Sequence, residues 1–117
     1  MINADDFGIS PAVNAGILEA HAAGSVTSTS MMVHCPGWDD AARLIGSAPR
    51  LGVGLHLNLL VGAPVIAGVT MVDRRTGRFL ALSALVRRAL AGRLDAAEIE
   101  AECEAQIGAI EALGVTL

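Results

Sequence analysis

An α/β fold, a parallel sheet with crossover helices, is predicted by three features of the sequence. Segments of strand character alternate with segments of helical character, the order that βαβ crossovers require. The residues AVILMFWYC make up 53% of the chain, and the thirteen glycines bring that share to about 64%. Ordinary globular domains sit near about 45–50%, so burial on more than one sheet face is expected. Polar groups also fall at the ends of the apolar runs, where parallel sheets gather their functional groups. An open sheet and a barrel both satisfy these features.

Residues 2–5 read as the end of a strand that would ordinarily have a longer apolar lead-in. Ser10-Pro11 opens a helix, with Ser as N-cap and Pro at the first helical position. Val13, Ile17 and Ala20 or His21 recur at helical spacing, and Gly24 is the stop. "SVTSTSMMV", residues 25–33, is β-branched without a helical stripe and predicts a strand. A second helix is predicted over 38–47, carrying Ala41, Leu44 and Ile45 and ending before Pro49. "LGVGLHL", residues 51–57, predicts a buried strand.

Residues 58–80 read as irregular and rich in Gly and Pro, with a turn at "RRTGR". A short helix is expected over 82–91. A longer one is capped by Asp95, with Glu98 completing a capping-box-like pair. Ile99, Cys103, Ile107, Ile110 and Leu113 mark its apolar stripe, Gly114 ends it, and "VTL" reads as a strand just begun. Much of the apolar content is Ala, so close packing of small residues is expected. No internal repeat or linker divides the chain.

The 117 residues fit one modest domain. Formal charge is −4, all eight cations are Arg, and no basic cluster exceeds two residues, so nucleic acid is not an expected partner. "MINADD" has no basic n-region and meets acids within five residues, so no signal peptide is expected. Residues 51–72 carry no charge, yet Pro64, four glycines, His56 and Asn58 interrupt them, and a strand followed by a loop fits better than a membrane span. Cys35 and Cys103 fit no disulfide framework or CxxC pattern, which points to a reducing, cytoplasmic setting.

Three strand ends offer chemistry: Asp5 and Asp6 after the first, His34 after the second, His56 near the end of the third. A carboxylate and an imidazole from separate strands begin a metal site, although a catalytic zinc site ordinarily has three protein ligands plus water. Plainer roles compete for each residue. An Asp at a strand end also caps helices or satisfies turn amides, and a histidine in an apolar run also bonds a backbone carbonyl. His34-Cys35 resembles a soft-metal pair, but adjacent residues on a strand face opposite ways. His21 suits the helix dipole in the last turn. Trp38 serves as core or helix-start anchor, or as a stacking surface for a sugar.

"INADDFGIS", "VNAGILEAH", "GSVTSTSMMV" and "GVGLHLNLLVGAPV" together, in order and spacing, resemble the YdjC-like carbohydrate deacetylases. The resemblance is dense over residues 2–66 and returns weakly in "EIEAECEAQIGAI". It implies an irregular (β/α) barrel of the polysaccharide-deacetylase-like type, with residues 1–117 as a single, partial domain lacking its C-terminal half. It also implies a metal-dependent hydrolase, using zinc or magnesium, that removes N-acetyl groups from amino sugars or short oligosaccharides. By position, Asp6 and His56 match metal ligands and Asp5 matches the catalytic base. The family's second metal histidine is expected beyond Leu117, which leaves His34 as a candidate substitute ligand. Half of a barrel has open sheet edges, so a homo-oligomer is expected. The rival reading is a catalytically incomplete fragment serving as a small-ligand or metal-binding, oligomerising domain.

Overall fold

The computed structural model describes residues 1–117. Its elements are β1 (Asn3–Phe7), α1 (Pro11–Ala22), β2 (Ser28–Met31), α2 (Trp38–Leu44) running into a 3-10 turn (Ile45–Ser47), β3 (Gly52–Leu55), β4 (Val72–Asp73), β5 (Arg78–Phe79), α3 (Leu82–Leu90) and α4 (Ala96–Glu111). Strands β1, β2 and β3 form one parallel sheet in that order, with α1 and α2 as the crossovers. The parallel sheet with crossover helices therefore forms as the alternation predicts.

Helix α1 starts where Ser10 accepts a hydrogen bond from the Val13 amide at 3.3 Å and Pro11 fixes the first turn. At its far end His21 Nδ1 lies 2.8 Å from the Val26 carbonyl, which ties the helix terminus to the approach of β2. Phe7, Ile17, Met31, Val33, Ala41, Ile45, Leu51 and Ile110 form the centre of the core. Strand β2 is shorter than the predicted 25–33, because Val26 and Val33 leave the ladder while remaining buried. Strand β3 is likewise shorter than 51–57, although the His56 amide still donates to the Met31 carbonyl at 2.9 Å. Residues 115–117 form no strand; Val115 and Thr116 are separated from β3 by a cavity that Gly52 and Val53 also line. The "RRTGR" turn is present and closes a two-stranded hairpin, β4 with β5, with Thr76 and Gly77 amides both on the Asp73 carbonyl.

Helix α4 departs from its predicted stripe. Ile110 is fully buried, but Ile107 is 37% exposed, whereas Glu102 and Gln106 are buried. The loop over residues 58–71 has few ladder bonds, so its amides need other acceptors. Glu102 accepts from the Val65 and Ile66 amides at 3.0 Å each and from Gln106 Nε2 at 2.7 Å. Gln106 in turn accepts from the Asn58 amide at 3.0 Å and donates to the Asn58 carbonyl at 2.6 Å. Glu98 takes the amides of Val69, Thr70 and Met71. Asp95 does cap α4, accepting from the Ala97 amide, but the expected capping box is absent because Glu98 turns to the loop. No helix is long and apolar enough to cross a membrane.

Candidate active site

Ordinary pleating would send Asp5 and Asp6 to opposite faces of β1. The strand avoids this. Its pairing runs Asn3 with Ser28 and Ala4 with Thr29, then resumes at Phe7 with Met31, so β1 spends one residue more than β2 across the acids. This is a β-bulge, a device that re-aims side chains. Asp6 carries it with φ at +71°, a left-handed conformation that Asp tolerates better than most residues. The acids thus lie within the strand, not after it where the sequence reading expects them.

Beyond the bulge, Phe7 is fully buried and its carbonyl accepts the Met32 amide at 2.7 Å, which anchors the distorted segment. Gly8 follows at φ +105°, with its amide on Asn14 Oδ1 at 2.7 Å. Buried Asn14 also donates to the Gly37 carbonyl and to Asp40, so one side chain joins the loops after β1 and β2.

The bulge lets both acids join one line of contacts. Ser30 Oγ donates to Asp5 Oδ1 at 2.6 Å, and the same hydroxyl lies 3.3 Å from His56 Nδ1. His56 Nδ1 is 3.2 Å from Asp6 Oδ1, with side-chain exposures of 36% and 45%, so solvent reaches this pair. Asn3 Nδ2 also donates to Asp5 Oδ1, at 2.7 Å. Each of β1 and β2 contributes from within its C-terminal half, and His56 follows β3 directly. Asp5, Asp6, Ser30 and His56 lie toward the C-terminal ends of the three parallel strands.

The other candidates lie elsewhere. His34 follows β2 at φ +56°, is exposed, and faces Trp38 with ring centroids 6.3 Å apart. Cys35 is buried where His34 is exposed, and both lie past the end of β2; burial pushes the Cys35 thiol up, and the nearby Asp6 carboxylate adds to this. The chain gathers no group of three or more His, Cys, Asp and Glu side chains suited to an ion. Asp6 and His56 alone are brought together, and His34 is not. The larger cavity, about 400 Å³, lies at the opposite end of the sheet, lined by Leu51, Val53 and Leu113 among others.

A carboxylate and an imidazole are suitable ligands for zinc. The edge of a tetrahedron with legs of about 2.0–2.2 Å is roughly 3.3–3.6 Å, and the 3.2 Å between Asp6 Oδ1 and His56 Nδ1 lies just below that range. The two residues therefore fit as part of such a site. Ser30, Asn3 and Asn14 were not singled out by sequence reasoning. Strand alternation within "STSM" offered a hint for Ser30, but the face it occupies depends on register.

Comparison with known proteins sets this geometry in context. The model of the YdjC-like protein family matches residues 1–117. A protein of Brevibacillus brevis named carbohydrate deacetylase is 43% identical over 119 aligned positions, which cover all of this chain and 45% of that protein. One of Halalkalibacterium halodurans, with the same name, is 41% identical over 99% of this chain and 48% of its own length. The chain thus spans about half the length of these relatives. A crystal structure from Enterococcus faecalis, named as a cellobiose-phosphate cleavage protein, superposes with a TM-score of 0.81 at 35% identity, over 97% of this chain and 44% of that one.

Proposed function

We propose, starting from a chain that belongs to the YdjC-like protein family, that its complete form is a metal-dependent hydrolase removing N-acetyl groups from amino sugars or short oligosaccharides. The observation that carries this reading is the line Asp5–Ser30–His56–Asp6 at the ends of three parallel strands. The names of the relatives, carbohydrate deacetylase, supply the substrate class. In the complete protein the sheet would continue into an irregular (β/α) barrel, and until then β1 and β3 keep free edges that favour pairing between copies.

Asp6 and His56 would hold a divalent ion, zinc or magnesium, with His34 as a candidate substitute third ligand. When bound, such an ion supplies Lewis acidity, polarising an amide carbonyl and making water more acidic. Asp5 acts beside it as general base: its Oδ1 is occupied by Ser30 and Asn3, and its Oδ2 accepts no hydrogen bond and is free to take a proton from the attacking water. The half-exposed placement of Asp6 and His56 admits a sugar acetamide from solvent.

The test is acetate release from a chitobiose-type substrate by the zinc-loaded complete protein. Asp5→Asn should retain metal and lose about 10²–10⁴ in turnover, and Asp6→Asn should lose metal and activity together. Near-full turnover in Asp5→Asn removes the base assignment. A second reading, a metal- or ligand-binding oligomerising domain without catalysis, is favoured by the gathering of only two ligands. Its signature is zinc binding by a self-associated chain with no acetate release from the complete protein.

A further inference from the structure

Asp5 is held from one side only. Two donors, Ser30 Oγ at 2.6 Å and Asn3 Nδ2 at 2.7 Å, converge on Oδ1, while Oδ2 accepts none. A serine hydroxyl has one proton to give. Here it is spent on Asp5, while His56 Nδ1 lies 3.3 Å from the same oxygen. Ser30 therefore stands between the base and the imidazole and touches both. It comes from the central strand β2, with Asp5 on β1 to one side and His56 following β3 on the other.

We infer that Ser30 is a positioning residue: its hydroxyl, helped by Asn3, clamps Asp5 Oδ1 so that Oδ2 is the oxygen presented to the reacting water. Asp5 sits beside the bulge and is exposed, so its carboxylate rotation is limited by these donors rather than by packing. A hydrogen bond to an ionised acceptor is short and among the stronger kinds, and 2.6 Å lies in that range. Serine at this site therefore acts through Asp5 and need not touch substrate. The inference rests on the deacetylase reading for its chemistry but not for its geometry.

Two measurements separate these. In the metal-free 117-residue chain, Ser30→Ala should displace and broaden the carboxylate carbon resonance of Asp5, Asn3→Ala should move it in the same way, and Ser30→Thr should restore it. An Asp5 resonance unmoved by both alanine variants overturns the clamp, whatever the enzyme does. In the complete protein, Ser30→Ala should lower kcat about tenfold or more with KM and zinc affinity unchanged, and Ser30→Thr should recover most of it. Unchanged kcat in Ser30→Ala overturns the positioning role, as does a loss of zinc affinity in parallel with kcat, which would make Ser30 part of the metal site. If wild-type protein releases no acetate while the resonances behave as described, the deacetylase reading has failed and the clamp has not.

Discussion

Replacing Glu102 by Ala should destabilise the chain far more than a helix-surface change. The carboxylate is fully buried and accepts three hydrogen bonds, from the Val65 and Ile66 amides and from Gln106 Nε2. An unsatisfied buried donor costs about 1–3 kcal/mol. Val65 and Ile66 are only half-buried, so water can reach part of the vacated space and the lower end applies. Three donors at about 1 kcal/mol each give about 3 kcal/mol, a large part of the roughly 5–15 kcal/mol that holds a typical domain. At a urea slope of about 2 kcal/mol/M, the midpoint should fall by about 1.5 M. Equilibrium unfolding in urea measures this directly, with Glu104→Ala on the exposed side of α4 as the control for helix propensity. Glu102→Gln should fall between them, since its amide oxygen accepts while its NH₂ confronts a loop amide. A Glu102→Ala midpoint within about 0.3 M of the Glu104→Ala control, well below the shift expected from the lost bonds, would refute the view that this helix carboxylate holds the loop.

Three further outcomes follow from single sites. Cys35, whose thiol is pushed up by burial and then by the Asp6 carboxylate, should react with maleimide at least about tenfold more slowly than the half-buried Cys103; equal rates by mass spectrometry contradict its placement. Burial alone would raise the Glu98 carboxyl, but hydrogen bonds from the backbone and hydroxyl of Thr70 and from the Val69 and Met71 amides outweigh it and leave it below its ordinary value of 4.5. A lowered carboxyl stabilises the fold above the unfolded value and loses that contribution as pH falls through the folded one. Wild type should therefore lose stability on acidification below about pH 4.5, and Glu98→Gln should show a shallower loss there; parallel acid-unfolding curves would count against the loop contacts. Gly8→Ala should cost about 2 kcal/mol or more, because φ is +105° and the added carbon would sit 2.5 Å from the Met32 carbonyl oxygen; a thermal midpoint equal to wild type would refute the close approach at this turn.

The order of strands and helices was legible because each element carries its own period and stop. Ser10-Pro11 and Gly24 bracket α1, and the β-branched run before Met31 has no helical face. Where the reading failed, the deciding partner was distant in sequence. Helix α4 offers two adjacent rows, the apolar Ile99, Cys103 and Ile107 and the polar Glu98, Glu102 and Gln106, and either could face inward on local grounds. Hydrophobic periodicity favours the first. The loop over 58–71 arrives with unpaired amides and selects the second.

The site was half legible for a similar reason. Strand ends marked Asp5, Asp6 and His56, but alternation alone sets adjacent acids on opposite faces. Only the bulge between Ala4 and Phe7 lets both reach the same hydroxyl-and-imidazole line, and a bulge is a property of two strands in register. Register also chooses among the hydroxyls of β2. Thr29 is spent on the Ala4 carbonyl at 2.7 Å, Ser28 Oγ is buried without a partner, and Ser30 alone meets Asp5 and the histidine. A slip of one residue in β2 would turn Thr29 toward the site and Ser30 into the core face, separating Asp5 from His56 while changing no residue. The bulge and the pairing around it therefore belong to the site as much as its side chains do.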